Sequence, residues 1–421
     1  MKIAIWGDEL AAWVAAACLA RQGNQVMMVR EAADDHLIPD ESSIRHEPGL
    51  MQTLQQQQTS GNLLAVTAAQ AQSTGIHWLA MSPGSLDMAE RQVTQLAQHS
   101  QQLLIINQSN FGLGASDRLS ERLDPSRPQA LAYIPDTLQQ GTALAQFSSP
   151  ASLIIGCEDQ QALLTLRTLL KPFTEQIKQM LYMTAREAEF TKFAINGMLA
   201  LRLGFINELA NLADQVDVDI ELVRQGMGSD DRIGQHYLNP GCGFGGQHFT
   251  QYIESLAALM SDKRRSTLLE TVLSENEKQK ELPFRKLWQH YRFDLRQRII
   301  TLWGVAFKPG ITSIDNAPAL RIIDALLAQG ALIRLHDPEA LHEIKLRYGD
   351  HPQLTYYQDP YAALDNSDAL LLITEWSSYA SPDYQQIKDR MATPLIIDGR
   401  NLWEPEYLRQ QGFIYHGVGR R

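Results

Sequence analysis

The first thirty positions of the chain leave few folds open. Ile3, Ala4, Ile5 and Trp6 form an unbroken apolar run after Lys2, so Lys2–Trp6 read as a short strand buried on both faces. Gly7 supplies the turn. The alanine-rich stretch from Leu10 to Gln22 has helical character and stops near Gly23, after which Gln25–Val29 form a second apolar strand. Strand, turn, helix and strand within about thirty residues make the opening unit of a dinucleotide-binding fold, whose two strands must lie parallel.

The alternation continues. Strands are expected at His77–Met81, Leu103–Asn107, Ala130–Tyr133 and Ser152–Gly156, which predicts a mostly parallel sheet covered on both faces. From Ala185 the pattern changes to helical spacing with almost no strand signal. Phe190, Phe193, Leu199, Leu203, Ile206 and Leu209 are expected on the apolar side of one long helix. Strands resume at Ile299–Trp303, Leu332–His336, Ala369–Thr374, Pro394–Asp398 and Phe413–Val418. The expected fold is α/β, with two Rossmann-like doubly wound domains joined by a long-helix central domain. The expected boundaries are 1–184, 185–290 and 291–421.

Composition agrees with this plan. A chain of 421 residues exceeds one ordinary core, and 44% hydrophobic with 20% charged residues is globular composition. The formal net charge of -11 and the lack of a Lys/Arg block argue against nucleic acid or an anionic membrane as partner. Cys18, Cys157 and Cys242 are widely spaced and odd in number, so neither a disulfide framework nor a metal site is expected. The N-terminal residues enter directly into a strand, and no apolar run reaches membrane-spanning length, so a cytoplasmic protein is expected.

One loop stands apart. Gly241-Cys-Gly-Phe-Gly-Gly-Gln-His-Phe-Thr-Gln-Tyr252 places four glycines in six positions ahead of polar and aromatic residues, a composition suited to close backbone approach to a ligand.

Taken in order, several motifs resemble the UDP-glucose/GDP-mannose dehydrogenase family over nearly the whole chain. They are Glu47-Pro48-Gly49-Leu50, Gly141-Thr142-Ala143, Glu189-Phe190-Thr191-Lys192 with Asn196, Phe205-Ile206-Asn207-Glu208 and Gly228-Ser229-Asp230-Asp231-Arg232-Ile233-Gly234. The Gly241 loop follows, then Ala306-Phe307-Lys308-Pro309, Thr374-Glu375-Trp376, Asp398-Gly399-Arg400-Asn401 and Gly417-Val418-Gly419-Arg420. The resemblance implies an NAD-dependent, two-step oxidation of a nucleotide sugar's C6 alcohol to a carboxylate through a cysteine-bound thiohemiacetal and thioester. It implies oxyanion stabilisation by Lys192 and Asn196, where an ammonium and an amide meet growing negative charge. It also implies nucleotide-sugar binding by Arg232, Phe244, Gly245, Lys308 and Arg400, and a homodimer paired through the central helix.

At the chemical positions the chain departs from the family pattern. His248 stands where the family has its nucleophilic cysteine, and Tyr252 where it has the assisting aspartate; an imidazole cannot form the thioester. Asp136 shortens the hydrolytic glutamate by one methylene, and Asn110 replaces the water-positioning threonine. Cys242 lies six residues before His248 and reads as a small buried filler rather than a relocated nucleophile. His248 reads either as a loop histidine or as a general base for a single alcohol-to-aldehyde step.

The expected cofactor site, with Gly7, Ala12 and Arg30, departs as well. Glu9 replaces the second glycine of G-x-G-x-x-G and sets a side chain and a negative charge where a pyrophosphate approaches the backbone. Arg30 takes the place of the ribose-binding acid, which leaves NADP open beside NAD, with Glu9 opposed to either.

The sequence is therefore read as a catalytically impaired member of the family that binds a UDP-glucose-type nucleotide sugar in a regulatory or scaffolding role in polysaccharide biosynthesis. The alternatives are an active NAD(P)-dependent oxidoreductase of altered chemistry and a pure interaction scaffold.

Overall fold

The computed structural model describes residues 1–31, 44, 47–175, 177 and 179–420. Its contacts divide the chain into two compact units, Met1–Ala194 and Ile195–Arg421.

The first unit is built on an eight-stranded sheet of β1 (Lys2–Trp6), β2 (Gln25–Arg30), β3 (Leu63–Thr67), β4 (Ile76–Leu79), β5 (Leu103–Asn107), β6 (Gln129–Tyr133), β7 (Ser152–Gly156) and β8 (Gln179–Met183). The strand order is β3-β2-β1-β4-β5-β6-β7-β8. Every pair is parallel except β6 with β7. The central strand shows why its sequence is uniformly apolar: Ile3 and Ile5 enter the core on one face, Ala4 and Trp6 the core on the other.

The first helix, Leu10–Arg21, is buried from Ala11 through Ala20, and its alanines let it pack against the helices Leu50–Thr59 and Ala143–Ser148. Gly7 is required where it stands. Its φ is +129°, and a Cβ there would lie 1.9 Å from the Ala80 carbonyl oxygen.

The second unit begins inside the helix Ala185–Val216, whose 32 residues span about 48 Å at the α-helical rise. The helices Ile220–Gly228, Gln247–Arg264, Leu268–Lys280 and Leu282–His290 follow before a six-stranded sheet begins. That sheet comprises β9 (Ile299–Trp303), β10 (Leu332–His336), β11 (Leu354–Tyr356), β12 (Ala369–Leu372), β13 (Leu395–Asp398) and β14 (Ile414–His416), in the order β11-β10-β9-β12-β13-β14. All of its pairs are parallel. Both sheets thus reverse strand order beside their first strand, the switch point that opens a crevice at the strands' carboxyl ends.

Strands β3, β8 and β11 escape sequence reading. Each is the outermost strand of its sheet, with a single neighbour. Partly exposed side chains dilute their apolar pattern.

The long helix also differs from the expectation of one apolar side. Phe193 and Ile206 are buried, whereas Met198, Phe205, Leu212 and Val216 are exposed, each by more than half of its surface. Beside it, the residues from Val418 to Arg420 are tied down: Val418 joins a small core with Ile206, Ala210 and Ile220, and Ile220 N–H donates to the Gly419 carbonyl at 2.9 Å. No helix among the described residues is long and apolar enough to cross a membrane.

Candidate functional site

In the first unit the crevice lies at the carboxyl ends of β1 and β4. Glu9 is the N-cap of the helix Leu10–Arg21, in extended conformation (φ −66°, ψ 159°), and its side chain makes no capping hydrogen bond. Ala12 is fully buried in the first turn. Arg30, closing β2, lays its guanidinium 4.6 Å from the centre of the Trp13 ring. Trp13 is itself fully buried and donates its indole N–H to the Asp8 carbonyl at 3.1 Å. At the end of β4, Met81 N–H donates to Ser109 Oγ at 2.9 Å.

The same unit holds Lys192, Asp136 and Glu189. Burial draws the Lys192 ammonium below the ordinary lysine value, with the Asp136 charge opposing the shift. Asp136 Oδ1 also accepts from Leu138 N–H at 3.1 Å, a local Asx turn. Glu189, one helical turn before Lys192, is a structural residue. Its carboxylate accepts from Gly114 N–H at 2.6 Å and Ser116 N–H at 2.7 Å, satisfying the start of the helix Ala115–Ser120. Glu47 performs the same service for Gly141 and Leu144, which explains two of the quoted motifs by backbone satisfaction rather than chemistry. The Asn110 Oδ1 atom is buried with no hydrogen-bond partner among the described residues.

In the second unit the glycine loop is clamped by the protein's own groups. Asn207 Oδ1 accepts from Gly241 N–H, Gln279 donates to the Gly241 carbonyl, and Cys242 N–H donates to the Gly399 carbonyl, all within 2.9 Å. Asn276 pairs with both the N–H and the carbonyl of Phe244, whose ring meets Phe249 edge-on at 5.2 Å. A Cβ on Gly245 would come within 2.6 Å of the Asn316 carbonyl oxygen, and one on Gly246 (φ +89°) within 2.9 Å of the Phe307 ring. The close approaches that glycine permits are therefore made to Asn316 and Phe307.

The loop delivers His248 to the exposed start of the helix Gln247–Arg264. Cys242 goes the other way. It is fully buried with its Sγ 3.9 Å from the Ile373 carbonyl oxygen, and burial pushes the thiol up, away from thiolate formation. Asn196, on the long helix, is buried.

Arg400 binds the loop from beneath. Its guanidinium donates to the Ile373 carbonyl at 2.7 Å and the Gly243 carbonyl at 3.2 Å, and it pairs with Glu375 at 3.2 Å. Lys308 sits over the Phe307 ring at 6.0 Å. Arg232 is exposed, with 89% of its side chain in solvent and a 2.6 Å ion pair to Asp230. A cavity of about 560 Å³ opens along the helix Gln247–Arg264, lined by Gln251, Glu254, Asp315, Asn316 and Arg321 among others.

Sequence reading missed Asn276, Gln279 and Asp337. Asp337, just past β10, accepts from Val305 N–H at 2.7 Å, Ala306 N–H at 3.1 Å and Trp376 Nε1–H at 3.1 Å. It thereby fills the turn after β9, whose amides in a dinucleotide fold would face a pyrophosphate. Nothing in local sequence distinguishes these three from ordinary helix or turn residues; only an acid at the end of the second strand offered a signal for Asp337. Among the described residues no three His, Cys, Asp or Glu side chains are grouped as a metal site would require.

The sequence matches three models of the UDP-glucose/GDP-mannose dehydrogenase family: its NAD binding domain over residues 1–174, its central domain over 186–278 and its UDP binding domain over 301–405. A UDP-glucose 6-dehydrogenase of Pseudomonas aeruginosa is 38% identical, the alignment covering 100% of this chain and 98% of that protein. The UDP-glucose 6-dehydrogenase TuaD of Bacillus subtilis is 28% identical over 100% of this chain and 93% of its own. Among solved structures, a UDP-glucose dehydrogenase from the hyperthermophilic archaeon Pyrobaculum islandicum aligns with a TM-score of 0.85 at 26% identity, covering 100% of this chain and 98% of that one.

Proposed function

The chain belongs to the UDP-glucose/GDP-mannose dehydrogenase family, and from that premise we propose that it binds a UDP-glucose-type nucleotide sugar without completing the four-electron oxidation. One observation carries the reading. The exposed helix start that follows the glycine loop presents His248, while the loop's one thiol, Cys242, is buried and turned toward the Ile373 carbonyl. A thioester needs a thiolate at the substrate, and an imidazole cannot replace it in that step.

Lys308, Arg400 and Arg232 would supply cationic donors to phosphate and sugar oxygens. Phe244 and Gly245 would shape the loop, with Lys192 and Asn196 as inherited oxyanion donors and Asp136 as an inherited carboxylate. The role that follows is regulatory or scaffolding, beside the enzymes that make and use the same nucleotide sugar in polysaccharide biosynthesis. Three buried free cysteines suit a reducing, cytoplasmic setting.

We also propose a homodimer through the long helix. Met198, Phe205 and Leu212 recur every seven residues, and Ile195 and Val216 are exposed on the neighbouring heptad position, so an exposed apolar stripe is available to a second copy.

The deciding experiment is a thermal-shift and turnover panel on purified protein. UDP-glucose raises the melting temperature, and no NADH accumulates with UDP-glucose and NAD⁺. Steady NADH production would sink the impaired reading in favour of altered oxidoreductase chemistry with His248 as general base. No shift with UDP- or GDP-sugars would leave only an interaction scaffold.

A further inference from the structure

We infer that the chain's own side chains close the dinucleotide crevice of the first unit, so that the protein takes its nucleotide sugar without a nicotinamide cofactor. The inference rests on the reading above for the nucleotide sugar, but its argument comes from the first unit alone.

Three features act at different parts of a dinucleotide. The pyrophosphate seat of this fold is the N-terminus of the helix after β1, where the first amides and the helix dipole attract an anion and a glycine lets the ligand approach. Glu9 stands at that N-cap. Its side chain occupies space that a glycine would leave open, and its carboxylate sets one negative charge at the helix end before any phosphate arrives.

The ribose diol of NAD needs an acceptor at the end of β2. Arg30 offers donors only, because a guanidinium has no acceptor. Its guanidinium is stacked on Trp13, and Trp13 is fixed by full burial and by its bond to the Asp8 carbonyl. The arginine is thus held on an immobile platform. Finally, a main-chain donor at the end of β4 is already used, Met81 N–H by Ser109 Oγ.

These features leave the fold intact while removing what it offers a dinucleotide. Gly7 and Ala12 keep the strand–turn–helix geometry, the one by its positive φ and the other by full burial.

The test is direct binding to the full-length protein, read by fluorescence enhancement of NADH and NADPH and by thermal shift with NAD⁺ and NADP⁺. Four proteins are compared: wild type, Glu9→Gly, Arg30→Asp and the double variant. Wild type is expected to show no saturable binding up to millimolar cofactor, and the double variant to bind NADH at least tenfold more tightly than either single variant. Glu9→Ala with Arg30→Gln is the second pair should the first melt early, and it must show the same direction of gain.

Saturable binding of either dinucleotide to wild type overturns the inference, NADP-only binding included, since that would make Arg30 a 2′-phosphate ligand rather than a closing residue. A folded double variant with no gain overturns it as well. UDP-glucose, run beside each protein, separates the two readings. If it fails to shift wild type, the nucleotide-sugar proposal falls while the cofactor arm still decides the closure.

Discussion

Asn276 holds Phe244 as a neighbouring strand would: its Oδ1 accepts from Phe244 N–H at 2.9 Å and its Nδ2 donates to the Phe244 carbonyl at 3.0 Å. Asn276 is nearly fully buried, so removing it leaves a main-chain donor and acceptor unpaired at the root of the glycine loop. Asn276→Ala is expected to cost about 1–3 kcal/mol in urea denaturation. Its thermal shift with UDP-glucose should also shrink. Asn276→Asp, which keeps the acceptor and loses the donor, should fall between the two.

Restoring the family's reacting residues should not restore oxidation. His248→Cys with Tyr252→Asp is expected to give no NADH from UDP-glucose and NAD⁺ in an absorbance assay, because the crevice still carries Glu9 and Arg30. Oxidation by this pair alone would mean that Glu9 does not block the cofactor.

The exposed heptad stripe gives a prediction about assembly. Phe205 is 56% exposed at the middle of the stripe, and placing a carboxylate there would force a charge into any helix-paired interface. Phe205→Asp is expected to convert a dimer to a monomer by light scattering after size exclusion, with little change in the circular dichroism of the protein. A wild-type monomer would remove the dimer from the proposal.

Acid sensitivity should have a component centred on His77. Its Nδ1 accepts from Trp6 Nε1–H at 3.0 Å and its Nε2 faces the Thr74 carbonyl at 2.8 Å, which fixes a neutral tautomer. Burial holds this imidazole at about 4, below its ordinary 6.5. The unfolded chain therefore binds a proton that the folded chain refuses between those values. This contribution is intact above pH 6.5, is lost as pH falls toward about 4, and does not change further below that. Its full size is about 3 kcal/mol. His77→Gln should flatten the stability–pH curve in that window, measured by urea titration; an unchanged slope would assign the acid loss elsewhere. His416 is also held at about 4, chiefly by burial, so part of the slope persists in the variant.

Much of the fold was legible because buried parallel strands must be apolar throughout. Lys2–Trp6, Leu103–Asn107, Ile299–Trp303 and Leu332–His336 begin and end where the hydrophobic runs predict. The edge strands Leu63–Thr67, Gln179–Met183 and Leu354–Tyr356 were not legible, since one sheet neighbour and partly exposed side chains relax that demand, whereas the edge strand Ile414–His416 falls within the expected Phe413–Val418.

At the site, sequence determined which groups exist. It supplied His248 without a thiol at the family's reacting position, Glu9 in place of a glycine, Arg30 in place of an acid, and the glycines from Gly241 to Gly246. What those groups face was decided by tertiary structure, because it depends on residues distant along the chain. Glycines that read as room for a ligand are packed against Asn316 and Phe307. Glu189 within a family motif proves to be the acceptor for Gly114 and Ser116. Arg30 rests on a tryptophan seventeen positions earlier. A side chain's chemistry is written in its residue type, whereas its burial and partners exist only once the chain has folded around it.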